Sequence, residues 1–128
     1  MAAERPLDLI CLGRAAVDLY AEQLGARLED VSSFAKYIGG CAANIAVGTA
    51  RLGLKSAMLT RVGDDHMGRF VRETLQREGV DTSHVSTDPA RLTALVLLGI
   101  EIRRGAAEAD EIERPPGRLP RHAPTSRP

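Results

Sequence analysis

Charge of a single sign is missing from this sequence. Seventeen basic and seventeen acidic side chains cancel over 128 residues, so no global field draws the chain to nucleic acid or to an anionic membrane. Cysteine is scarce. Cys11 and Cys41 form no CxxC pair and no Cys/His cluster, which leaves no metal site to propose and favours a reduced, cytoplasmic setting. No apolar run approaches the roughly 20 residues that span a bilayer, and the first residues lack the basic-then-apolar order of a secretory leader. The length allows one domain, near the lower end for an α/β enzyme.

Large side chains are missing from one end. All four aromatic residues, Tyr20, Phe34, Tyr37 and Phe70, precede residue 71, whereas Pro115, Pro116, Pro120, Pro124 and Pro128 crowd the last stretch. Residues 101–128 mix five acidic residues with six arginines and offer few large apolar groups. Such a segment cannot bury enough surface to offset its ordering entropy, so a disordered tail is predicted there, with a short helix over 106–112 as the one exception. Its charge is too mixed for a nucleic-acid arm. The organisation read from composition is a folded part over 1–100 and a Pro/Arg-rich tail over 101–128.

Within the folded part, "LICL" is a short apolar run ending at Gly13, the form of a strand buried in a parallel sheet. Alternation around "DVSSFAKYI" reads as an edge or protruding strand. "AANIAVGTARLG" reads as a helix of small residues that ends at Gly53 with Leu54 behind it, the pattern of a Schellman ending. "KSAMLTRVG" is a second buried strand. "DDHMGRFVRETLQREG" carries Met67, Phe70, Val71 and Leu75 on one helical face, with Asp64 or Asp65 as cap and Gly79 then Val80 as its ending. "LTALVLLGI" is a third apolar strand after the turn-prone "TDPAR". The alternation of strands and helices predicts half of a doubly wound α/β fold.

The segment "KYIGGCAANIAVGTARLG" poses the functional question. Gly39 and Gly40 precede a helix that carries Asn44 in its first turn. Three readings compete. A phosphate cradle requires GxxxxGK followed by Ser or Thr, or else GxGxxG, and neither pattern is present. Close packing of the helix on a sheet, with Asn44 as a cap, requires nothing further. The third reading is a grip on a polyol. Asp18 lies shortly after the first strand, and ligands of parallel α/β sheets sit beyond the carboxyl ends of strands. A carboxylate accepts two hydroxyl hydrogen bonds, a carboxamide donates and accepts, and bare glycine backbone lets a sugar lie against the chain. His66, His84 and His122 stand isolated, and Cys41 has no partner that would make it a nucleophile.

Gly39, Gly40, Ala42, Asn44, Ala46, Gly53 and Gly63 match the fixed positions of the N-terminal signature of the ribokinase-like (PfkB) carbohydrate kinases, which the chain resembles over about 7–100. The flanks "LGRAAVDLY", "GARLEDVSSFAKYIGG", "ARLGLKSAMLTRVGDDHMGRF" and "EGVDTSHVSTDPARLTALVLLGI" are similar to members that phosphorylate a sugar acid at a primary hydroxyl. The resemblance implies a three-layer fold with a small β-lid, formed by about 18–37 together with "ALVLLGI", although a plain core strand accounts for the latter equally well. It implies Asp18, Gly39, Gly40 and Asn44 as sugar-binding residues, ATP and Mg2+ as cofactors of the intact enzyme, and a homodimer formed through the lid. The family's catalytic base and glycine-rich anion hole belong to a DTxGAGD-like segment that this sequence lacks. Without it the expectation is a chain that holds part of a sugar site, binds no nucleotide and does not turn over. Resemblance and composition change together near residue 100, which predicts a frameshift or truncation of the gene there.

Overall fold

The computed structural model describes residues 6–100; the expectations for 101–128, including the 106–112 helix, lie outside the described residues. Six strands and two helices alternate: β1 (Leu9–Leu12), β2 (Ala16–Ala21), β3 (Phe34–Gly39), α1 (Cys41–Arg51), β4 (Ser56–Gly63), α2 (His66–Arg77), β5 (Val85–Asp88) and β6 (Leu95–Leu98). They form two sheets. The first is wholly parallel, in the order β1-β4-β5, with Cys11 opposite Met58 and Thr60 opposite Val85. The second has the order β3-β2-β6, with β2 antiparallel to β3 and parallel to β6.

The parallel sheet is built from the runs that the sequence marks as buried. Alternation sends Cys11, Met58 and Val62 toward the helices, where they form the core with Ala43, Ala46, Val47, Val71 and Leu75. Small residues on α1 let it approach closely, and the Thr49 hydroxyl meets that of Ser56 on β4 at 2.7 Å. The opposite face of the sheet has no helix over it among the described residues. Ile10, Leu12 and Leu59 stand there 56%, 75% and 40% exposed.

Both helices end as predicted. Gly53 and Gly79 adopt φ of 90° and 80°, and the amides of Leu54 and Val80 donate to the carbonyls of Thr49 and Leu75 at 3.1 and 3.0 Å, the long hydrogen bond of a Schellman motif. The two endings are joined by Arg51, whose guanidinium grips Glu78 through two 2.7 Å bonds.

Asp65, rather than Asp64, caps α2. Its carboxylate accepts from the Gly68 amide at 2.8 Å and from the Thr93 amide at 2.8 Å, so one side chain both starts the helix and anchors the segment before β6. The Thr93 amide, supported by that of Gly68, holds the Asp65 carboxyl below its usual value of 3.8. Because the folded value is the lower one, the stabilisation is present above the usual carboxylate range and is lost as pH falls through it. Asp65→Ala should lower stability by about 1 kcal/mol at neutral pH. The deficit relative to the parent should shrink below pH 4, as urea titrations at two pH values will show.

Of the two readings of "ALVLLGI", the core-strand one is corrected, and the strand joins the 18–37 segment instead. The third strand of the parallel sheet is Val85–Asp88, and the run at Leu95–Leu98 instead pairs with β2 in the second sheet. β5 escapes sequence reading because "VSTD" buries only Val85 and Asp88. It is held by its neighbours: Arg72 on α2 donates to the Val85 carbonyl and, at 2.6 Å, to the Thr87 hydroxyl. The turn after it is the expected one, with the Asp88 carboxylate accepting from the Ala90 amide at 2.9 Å. β3 is an edge strand, as its alternation suggested. No helix among the described residues is long and apolar enough to cross a membrane.

Candidate functional site

The site lies where the two sheets meet. β1 ends at Leu12, and after three residues the chain enters β2 in the second sheet. β3 returns alongside β2 and hands the chain directly to α1 through Gly40. The two crossings touch: a Cβ built on Gly40 would lie 2.3 Å from the Arg14 carbonyl oxygen. Gly40 also adopts φ 99° and ψ 132°, a conformation that side chains exclude. Only glycine meets both demands.

Gly39 serves a different end. Its missing Cβ would stand 2.2 Å from Asp18 Oδ1, so the space beside Gly39 is taken by the Asp18 carboxylate. Register explains the encounter. Asp18 pairs with Tyr37 and Ala16 with Gly39, which puts Asp18 and Gly39 diagonally adjacent on one sheet face.

Asn44 does not cap α1. Its amide donates to the Gly40 carbonyl at 2.9 Å, an ordinary bond inside the helix, and Gly40 as N-cap residue makes no side-chain cap bond. The carboxamide is left exposed, one turn into the helix. Asp18 and Asn44 line one open cleft of about 350 Å³ together with Tyr20, Tyr37 and Ile38. Neither polar side chain has a hydrogen-bond or ion-pair partner among the described residues.

Of the four residues singled out from sequence, Asp18, Gly39 and Asn44 therefore come together. Gly40 stands behind them as the start of α1. The cleft adds Tyr20 and Tyr37, which sequence reasoning did not select. Their rings meet edge to face with centroids 5.6 Å apart and planes at 81°. The available signal was period two: Tyr20 follows Asp18, and Tyr37 precedes Gly39, by the spacing that keeps side chains on one face of a strand.

A phosphate at the start of α1 would meet the Asp18 carboxylate beside Gly39, and the first turn supplies Cys41 and Ala42 but no cation. No group of three or more His, Cys, Asp or Glu residues that could hold a metal ion occurs among the described residues. His66 and His84 are exposed, the former within 2.6 Å of Arg69. Cys11 is buried, and burial pushes its thiol up from its usual pKa.

The chain is similar to known proteins over most of the described residues. The family model of the pfkB family carbohydrate kinases matches residues 7–104. The 5-dehydro-2-deoxygluconokinase of Geobacillus thermodenitrificans is 49% identical over 85 residues, 66% of this chain and 25% of that protein. The enzyme of the same name from Bacillus subtilis is 40% identical over 85 residues, again 66% of this chain and 26% of that protein. Among solved structures, a sugar kinase from Pyrococcus horikoshii in complex with ATP superposes with a TM-score of 0.69 at 36% identity, covering 77% of this chain and 31% of that one. A fructokinase from Halothermothrix orenii gives 0.67 at 32% identity, covering 73% and 34%. The chain thus spans about a quarter of the length of the curated relatives it matches. With its match running across both sheets and both helices, the chain belongs to the PfkB family of carbohydrate kinases.

Proposed function

We propose that this chain carries the sugar-binding portion of a PfkB kinase and that its ligand is a sugar acid of the 5-dehydro-2-deoxygluconate type. The observation that supports the reading most directly is the convergence of Asp18 and Asn44, both unpartnered, on one cleft beside Gly39. A carboxylate accepting two vicinal hydroxyls and a carboxamide completing the set describe a polyol site. The tyrosine pair supplies an apolar wall against the C–H face of a carbon chain. The names of relatives 40 to 49% identical favour the sugar acid over a neutral hexose.

Phosphoryl transfer in such a kinase depends on positioned charge and an oriented nucleophile. In this reading ATP and Mg2+ are held, and the catalytic base is supplied, by parts of the fold that residues 6–100 do not contain. This chain alone then binds the sugar acid without phosphorylating it. Pairing of two copies through β3 or β6, the edges of the second sheet, belongs to the same reading and is tested by sedimentation.

The experiment is a titration of 15N-labelled chain with 5-dehydro-2-deoxygluconate, coupled to an assay of ATP consumption. Shifts centred on the amides of Asp18, Gly39, Gly40 and Asn44 and their neighbours in the cleft, with no ATP consumed, are expected. Shifts elsewhere only, or none, sink the sugar site. Turnover above background sinks the claim that the absent portion is indispensable.

A further inference from the structure

The geometry points to Arg14 as the group that recognises the carboxylate of an acidic sugar, and so as a specificity-determining residue of the site; this rests on the sugar-acid reading above. In the cleft lined by Asp18, Tyr20, Tyr37, Ile38 and Asn44 the one charged group is Asp18. It suits hydroxyls and repels a second carboxylate, so the acid end of a ligand whose hydroxyls engage Asp18 has to lie outside this cleft, near a cation.

Few cations are free to receive it. Lys36, although on β3, lies on the other face of the strand from Tyr37 and sits 4.1 Å over the ring of Phe70. Arg61 donates to the Ser86 hydroxyl at 3.3 Å and stands 4.0 Å from the Asp88 carboxylate. The other arginines of the described part all hold a partner: Arg27 has Asp30, Arg51 has Glu78, Arg69 has His66, Arg72 has Thr87, Arg77 has Thr74 and Arg91 has Asp88. Arg14 alone among them has no hydrogen-bond or ion-pair partner, and it is exposed.

Its placement is fixed. The Arg14 backbone is the part of the first crossing that packs on Gly40, one residue from the glycine that touches the Asp18 carboxylate. Arg14 lines a second cleft, of about 450 Å³, at the end of β1 and along the middle of β4, with Leu12, Thr60 and Arg61. A guanidinium there offers a planar fork that matches a carboxylate with two parallel hydrogen bonds, and the neighbouring Arg61 is already engaged by Ser86.

The test compares 2-deoxy-D-gluconate with 2-deoxy-D-glucitol, which exchanges the carboxylate for a hydroxymethyl group on the same chain, by calorimetric titration of the full chain. The parent should favour the acid about tenfold, and Arg14→Gln should bring the ratio of the two affinities close to one. Arg14→Lys should restore part of the preference, and added salt should erode it. Both ligands binding with equal affinity to the parent, or an acid preference that survives in Arg14→Gln, overturns the assignment of Arg14 and leaves the polyol site standing. Binding of neither ligand overturns the sugar-acid reading and this assignment with it.

Discussion

Asp18→Ala is expected to weaken sugar-acid binding about 100-fold while the chain stays folded. A hydrogen bond to a charged group contributes about 1.5–3 kcal/mol, and a carboxylate bound to two hydroxyls makes two of them, so even partial compensation by water leaves a loss of that order. Stability should hardly change, because Asp18 is half-buried and has no partner among the described residues to be orphaned by its removal. Asp18→Asn keeps the shape and one acceptor but loses the charge, so its loss should be intermediate. Calorimetric titration of the three proteins with 5-dehydro-2-deoxygluconate decides the matter. Equal affinity for Asp18→Ala and the parent would show that the carboxylate does not touch the ligand.

The two adjacent glycines should respond to alanine in opposite ways. In Gly40→Ala the new methyl group meets the Arg14 carbonyl at 2.3 Å, and φ 99° is denied to it. The obstacle is backbone on both sides, so nothing can swing away. Strain of this kind costs about 1–3 kcal/mol before the clash is added, and a total of about 3 kcal/mol or more is expected in urea unfolding. In Gly39→Ala the obstacle is the end of the Asp18 side chain, whose oxygens lie 2.2 and 2.3 Å from the new methyl. That side chain can rotate. The protein should therefore remain folded and lose affinity nearly as severely as Asp18→Ala does. A Gly39→Ala variant that binds normally would separate the glycine from the carboxylate; a Gly40→Ala variant of parental stability would contradict the packing of the two crossings.

Much of this architecture was legible because its signals are local. The Gly-plus-apolar endings at Gly53 and Gly79 and the apolar face of α2 depend on residues within a turn or two of each other. β5 was not legible. Its strand character comes from pairing with β4 and from Arg72 reaching over from α2, and neither is written in "VSTD". The run at Leu95–Leu98 was visible as a strand, and only the family resemblance, which grouped it with 18–37, pointed to the second sheet. An apolar run reports that a strand exists and not which neighbour it chooses. The site was half legible: Asp18, Gly39 and Asn44 stood out by chemical type, whereas Tyr20 and Tyr37 gave no site signal until strand register put them on the same face. Asn44 as a cap was the reading most firmly displaced, since a helix that begins at Gly40 carries Asn44 past the positions where a cap can act.

The double crossing at residues 13–15 and 39–40 has a mechanical consequence. Asp18 rides on one sheet, and Asn44 rides on a helix packed against the other. Any small rotation between the sheets changes the separation of the two groups, with the touching backbones of Arg14 and Gly40 as fulcrum. A ligand held by both is then a strut across a hinge. Its binding energy opposes the rotation as well as dissociation, and it should stabilise the chain against unfolding by an amount set by the ratio of its concentration to its dissociation constant.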